Sequence, residues 1–188
     1  MSKSRKPLPH RHLLLGITLI AATGFPSHFM AQSNLDTIQL YCTQQHGITL
    51  EPDATFIDDI TRMAASSDST QRASAFSQLS APAPIDAATL QTLLQAGMKD
   101  TNSVVRGQAV YAIAQQGCDD LAMVLGLALQ DAELSVRLMA LDSLIIDETT
   151  LALFKHIAEN EEEAEAMRDL ATMKLESWSA GNTASSTM

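Results

Sequence analysis

The chain has 188 residues, 46% of them hydrophobic and only 4% aromatic, and a formal net charge of −10. That length allows one domain with a sizeable core. The acidic balance opposes binding to phosphate backbones or to anionic lipid, because like charges repel.

Residues 1–31 differ from the rest. Lys3, Arg5, Lys6 and Arg11 form a basic head without an acidic residue, and an apolar run from Leu13 to Phe25 follows. Pro26 and Ser27 break that run, and Ala31 offers a small residue for cleavage, an order that reads as a secretory signal peptide. The run is shorter than the roughly 20 residues that span a bilayer. Phe29 stands where a small residue is preferred, so the cut could instead fall near Gly24, or the segment could stay as an inner-membrane anchor with the rest outside the cytoplasm. No cysteine follows the run directly, which opposes a lipoprotein. The expectation is a periplasmic or secreted protein, touching membrane only through residues 1–31 if these are retained. Without them eight basic residues face 22 acidic ones, a net charge of −14.

Residues 32–67 read as an N-terminal helical cap. Leu35, Ile38, Tyr41 and Cys42 fall on one stripe, with Gly47 as a stop, and Phe56, Ile57, Ile60 and Met63 make a second stripe after Pro52 and Asp53. From residue 68 a pattern recurs. Arg106, Ala109 and Ile113 return 31 residues later as Arg137, Ala140 and Leu144, and again as Arg168, Ala171 and Leu175. A less regular copy, Arg72, Ala75 and Leu79, stands 34 residues earlier. A period of this size marks units that cannot bury their apolar faces alone and stack on neighbours.

Each unit carries a second stripe: Leu90, Leu93 and Leu94, then Leu121, Val124 and Leu125, then Leu151, Phe154 and Ile157. Pro82 and Pro84 end the first helix of the first unit, Asp86 is placed to cap its second, Gly117 stops a helix, and Asp147 is placed as a cap. The fourth unit keeps one helix, from about Glu162 to Trp178, and the small polar tail 179–188 is expected to be unstructured. No segment alternates with period two long enough for a strand. The fold class is therefore all-α, with the helix pairs arranged as a short α-solenoid.

The segments "DTNSVVRGQAVYAIAQQG" and "DAELSVRLMALDSLIID" resemble HEAT-like repeats of the short kind found in the phycobilin lyase group. The likeness rests on Asp100 and Asp131, on Val105-Arg106 and Val136-Arg137, and on Ala109 and Ala140, and it covers about 68–178. It implies a curved stack whose second helices line a concave face that binds another protein. It also implies, as an alternative, a lyase-type or chaperone-like accessory factor.

No arrangement of residues points to catalysis or to a cofactor. A Gly-rich phosphate loop, a nucleophile elbow and a catalytic cysteine motif are absent from the sequence. Cys42 and His46 could share a helical face, but zinc needs three or four ligands, and no His-Glu pair is present to hold iron. A bond between Cys42 and Cys118 is opposed by their place in different units, since stacked units touch mainly their neighbours. The arginine column is expected to pair with acidic residues inside the stack, because guanidinium and carboxylate match as two forks. The expected function is an exported, non-catalytic scaffold that binds a protein and no nucleic acid. Its docking residues would be Gln91 and Gln95, then Ala122, Gly126 and Gln130, then Lys155, His156 and Glu159, which flank the second-helix stripes. A membrane-tethered subunit of a larger complex is the remaining alternative.

Overall fold

The computed structural model describes residues 50–118 and 121–185, with side chains as far as Asn182 in the last helix. Among them the secondary structure is helical throughout: α1 (Ala54–Ala64), α2 (Ser69–Gln78), α3 (Ala87–Met98), α4 (Ser103–Gln116), α5 (Leu121–Ala128), α6 (Leu134–Ser143), α7 (Leu151–Glu159) and α8 (Glu165–Ser185). The expected leader 1–31, the stripe Leu35–Cys42, Gly47 and His46 lie outside the described residues.

Short polar residues start the helices. The Asp53 carboxylate accepts the Thr55 N–H at 2.8 Å, Asp68 accepts Thr70 N–H at 2.9 Å, and Asn102 accepts Val104 N–H at 2.9 Å. Each satisfies a backbone donor that the first helical turn leaves open. Asp86 does so for α3, as expected, accepting both the N–H and the hydroxyl of Thr89. Asp147 does not cap α7 directly. It accepts the N–H groups of Thr149 and Thr150 and so builds a turn, and Thr150 holds the cap position. An aspartate with threonines two and three residues on favours such local bonds over the helix itself.

The helices α2, α4, α6 and α8, which carry the repeated arginines, pack side by side in chain order. Each intervening helix packs on the arginine helix that follows it: α1 on α2, α3 on α4, α5 on α6, α7 on α8. Two apolar clusters result. One gathers Ile60, Phe76, Leu79, Leu90, Leu94, Ile113 and Val124, and the other gathers Leu125, Val136, Leu141, Leu144, Phe154 and Met167. Gly97 makes the first possible, because a Cβ there would stand 2.5 Å from the Phe76 ring.

Three arginine helices end in two ways. α4 ends at Gly117, whose φ of 60° is the left-handed conformation that glycine adopts without a Cβ clash. α2 has no such glycine, and its terminal carbonyls are met from outside, by Gln116. The Gln116 amide is buried and donates to Leu79 O at 2.6 Å and Ala81 O at 3.1 Å. α6 is closed in the same manner by Lys174, which donates to the carbonyls of Leu141, Asp142 and Leu144. Leu144 is buried as its stripe predicts, but it stands just past α6 in extended backbone, since the β-branched Ile145 and Ile146 that follow extend a helix poorly. α8 begins later than Glu162 and continues beyond Trp178 to Ser185, so the expected unstructured tail is helical over 179–185. Serine, alanine and threonine are adequate helix formers once a long helix is already nucleated.

Candidate partner-binding surface and the arginine column

The arginine column folds inward upon the protein itself. Arg72 Nε and Nη2 donate to the two oxygens of Asp100 at 2.7 and 2.9 Å, and both side chains are only 16% and 13% exposed. Its Nη1 donates to the carbonyls of Ser66 and Ser67. Arg106 repeats the arrangement one unit on, with a fork on Asp131 at 2.8 Å and Nη1 on the carbonyls of Asp100 and Thr101. Each aspartate has a second task. Asp100 accepts the Asn102 N–H at 2.8 Å and Asp131 accepts the Glu133 N–H at 2.9 Å, so each fixes the turn that starts the next helix.

These bonds move the titrations. The Asp100 carboxyl lies below its ordinary range, chiefly through the Arg72 hydrogen bonds, which outweigh its burial. Burial is the largest influence on Asp131 and pushes it up, yet the Arg106 and Glu133 bonds together hold it below its ordinary value. Asp147 falls to about 2, first through the Thr149 hydroxyl and then through the Thr150 and Thr149 N–H groups. Lys174 is lowered by burial, against the pull of Asp142.

The column loosens toward its end. Arg137 keeps the two carbonyl bonds, to Asp131 and Ala132, but its Nη2 reaches Glu163 only at 3.7 Å. Arg168 donates to the Glu161 carbonyl at 3.1 Å.

The expected docking residues lie on α3, α5 and α7 and at their ends. Gln91 and Gln95 are half-buried on α3, Ala122 is exposed and Gly126 half-buried on α5, and Gln130 is exposed just after it, its amide donating to Gly126 O at 3.2 Å. On α7, Lys155, His156 and Glu159 are all exposed. The space beside Gly126 is open, since a Cβ there would meet nothing within 4 Å. Sequence reasoning takes Met123 for core filler and misses Leu153, but both point outward on α5 and α7, at 49% and 37% exposure. They hold the same repeat position, 30 residues apart, two residues after Leu121 and Leu151.

A cleft of about 280 Å3 lies between α1, α2 and α3, with Phe76, Leu93, Ala96, Ala64 and Asp100 among its walls. The oxygens of Asp100 are already engaged, so the cleft presents mainly apolar surface. Among the described residues no three metal-ligating side chains come together, and no helix is long and apolar enough to cross a membrane.

Cys118 is buried and disulfide-bonded, so the expected opposition to a bridge is overturned. Its place in the core gives the reason. Cys118 belongs to the cluster of Ile60, Leu79, Ala83 and Ile85, so the end of α4 reaches back toward the N-terminal helices instead of forward along the column. The only other cysteine in the chain, Cys42, lies outside the described residues.

Compared with protein-family models, with curated proteins and with solved structures, the chain matches none.

Proposed function

We propose that the repeats form a short HEAT-like solenoid and that the protein is an exported, non-catalytic scaffold which binds another protein across the outward surface of α3, α5 and α7. The observation that carries this reading is the composition of that surface. Met123 and Leu153 stand exposed at one repeat position on α5 and α7, the space beside Gly126 is open, and Gln91, Gln95, Gln130, Lys155, His156 and Glu159 are polar and exposed or half-buried on the same set of helices or at their ends. Exposed apolar side chains with a polar rim are what protein interfaces offer. Export is supported by the basic and apolar order of residues 1–31 and by the disulfide at Cys118, a bond that persists in oxidising compartments.

Native affinity purification from the exported fraction tests the reading with two variants at one position. Gly126→Ala adds a methyl group to open space and should retain the wild-type partners. Gly126→Arg fills that space with a long cation and should lose them, with a circular-dichroism melt that is not lowered. Retention of the same partners by the folded Gly126→Arg protein sinks the assignment of this surface.

A further inference from the structure

We propose that the opposite set of helices carries a second interaction surface, built on Val104, Gly107, Tyr111, Asp142 and Met173, that binds a basic amphipathic segment of another protein. Val104 and Tyr111 lie seven residues apart on α4 and therefore share a face. Both point outward, at 60% and 37% exposure. Gly107, three residues after one and four before the other, is itself buried, yet a Cβ there would meet nothing within 4 Å. The result is a notch between two apolar side chains.

The face continues across neighbouring helices. Tyr111, Asp142 and Met173 occupy one repeat position at intervals of 31 residues, on α4, α6 and α8, which pack against one another in that order. All three are exposed, and Met139 and Leu170, three residues before Asp142 and Met173, are half-buried against the core. On α2 the positions that match Val104, Gly107 and Tyr111 are Thr70, Ala73 and Ser77, so among the arginine helices the exposed large apolar side chains are confined to α4 and α8. Val104, Tyr111 and Met173 are thus exposed apolar side chains with the polar Asp142 between them, and apolar groups with a polar rim mark an interaction surface.

Charge identifies the occupant. Every cation of α4, α6 and α8 is engaged within the protein: Arg106 by Asp131, Arg137 by the carbonyls of Asp131 and Ala132, Arg168 by the Glu161 carbonyl, and Lys174 by the end of α6. The acids of the same helices, Asp142, Glu165, Asp169 and Glu176, are exposed. Asp169 and Glu176 flank Met173 at four residues before and three after, and so stand beside it on the α8 surface. The surface thus has apolar anchorage and exposed negative charge at Glu165, Asp169 and Glu176, whereas Asp142 is shared with Lys174 at 3.6 Å. A segment with apolar side chains on one stripe and lysines or arginines beside it complements both, whereas an anionic membrane is repelled.

A fluorescently labelled Leu/Lys amphipathic peptide of about 14 residues, roughly four helical turns, is the probe. Binding is read by anisotropy at physiological ionic strength, against an all-Lys peptide and a Leu/Glu peptide of equal length. The Leu/Lys peptide should bind at least about tenfold more tightly than either control, about 1.4 kcal/mol. Tyr111→Ser with Met173→Ser should weaken it about tenfold, and Asp169→Lys with Glu176→Lys should do the same. Gly126→Arg should leave it unchanged, which separates this surface from the one on α3, α5 and α7. Equal binding of the all-Lys peptide would reduce the effect to bare electrostatics and overturn the proposal, as would tighter binding to phosphatidylglycerol vesicles. Loss on Gly126→Arg without loss in the paired variants would overturn it too, while sparing the earlier reading. The four substituted side chains are exposed. If the serine pair nevertheless lowers the melting temperature, the lysine pair decides alone.

Discussion

The N-terminal and C-terminal halves of the arginine column are built from the same residues and held differently. Arg72 and Arg106 each close a two-pronged bond on an aspartate, whereas Arg137 touches Glu163 at 3.7 Å and Arg168 meets a carbonyl. The partner explains the difference. Asp100 and Asp131 each stand six residues before the next arginine, short enough that one oxygen fixes the turn while both receive the guanidinium. Glu163 stands five before Arg168, and the Oε1 that lies 3.7 Å from Arg137 is the oxygen that accepts the N–H of Ala164 at 3.0 Å. A closed rung therefore depends on an aspartate at one spacing as much as on the arginine. Charge alone does not make one, because a single contact at 3.7 Å lacks the geometry of a two-pronged bond.

The sharpest way to break this comparison is to delete the acids. Asp100→Ala leaves Arg72 without its fork and frees the turn before α4, and should cost about 2–4 kcal/mol. Glu163→Ala should cost no more than about 1 kcal/mol, since its contact is long and single. Urea melts of both variants check the ratio. Equal losses would mean that the rung geometry is irrelevant to stability.

The column itself was legible in the sequence, because Arg106, Arg137 and Arg168 recur at a fixed interval and packing demands a fixed interval. So were the caps at Asp86 and Gly117, whose side-chain oxygen and left-handed φ are local chemistry. The helix ends closed from a distance were not. Lys174 reaches back some 30 residues to the α6 carbonyls, and no local pattern encodes that. Its one signal is register: the same repeat position holds the fully buried Ala112 and the half-buried Ser143, so a lysine there must find partners inside the protein. The disulfide at Cys118 was misjudged for a related reason, since stacking order was read from sequence and the backward reach of α4 was not. On the candidate surface the polar positions follow from exclusion from the stripes, but Met123 reads as core filler and Leu153 goes unnoticed. An exposed apolar residue resembles a core residue until its orientation is known.

A second comparison of the halves uses one substitution at two glycines. Gly97 lies in the N-terminal cluster, where an added Cβ would fall 2.6 Å from Phe76 Cε1 and 2.7 Å from the Ala109 Cβ. Gly97→Ala should therefore destabilise by about 1–3 kcal/mol, as overpacking does. Gly126 lies inside α5 with open space beside it. Gly126→Ala should stabilise by about 1 kcal/mol, through helix propensity alone. Opposite shifts in melting temperature sharpen the contrast between a locked half and an open one. A gain at both sites would show that Phe76 yields easily and that the N-terminal packing is less tight than its distances state.

Acid reads the closed rungs most directly and with the smallest effect. Asp100 and Asp131 both titrate below their ordinary range in the folded protein. A carboxyl depressed on folding adds stability that is fully present above its unfolded value, about 3.9, and that is lost as pH falls through the lower folded value. Between those two values the unfolded chain binds more protons, so stability rises with pH there. The wild-type protein should hold its stability from neutral pH to about 5 and lose it progressively below about 4. In Asp100→Asn/Asp131→Asn the arginines keep an acceptor that cannot titrate, so the protein should start less stable and fall with a shallower slope. The turn at Asp147, which titrates at about 2, remains in both proteins and should give them a common residual slope in the most acidic range. Hydrogen exchange would locate the loss: in wild type, protection at the starts of α4 and α6 should drop first, because Asp100 and Asp131 fix those turns. Identical slopes in the two proteins would place the acid sensitivity outside the rungs and break the link between the aspartates and the locked half of the column.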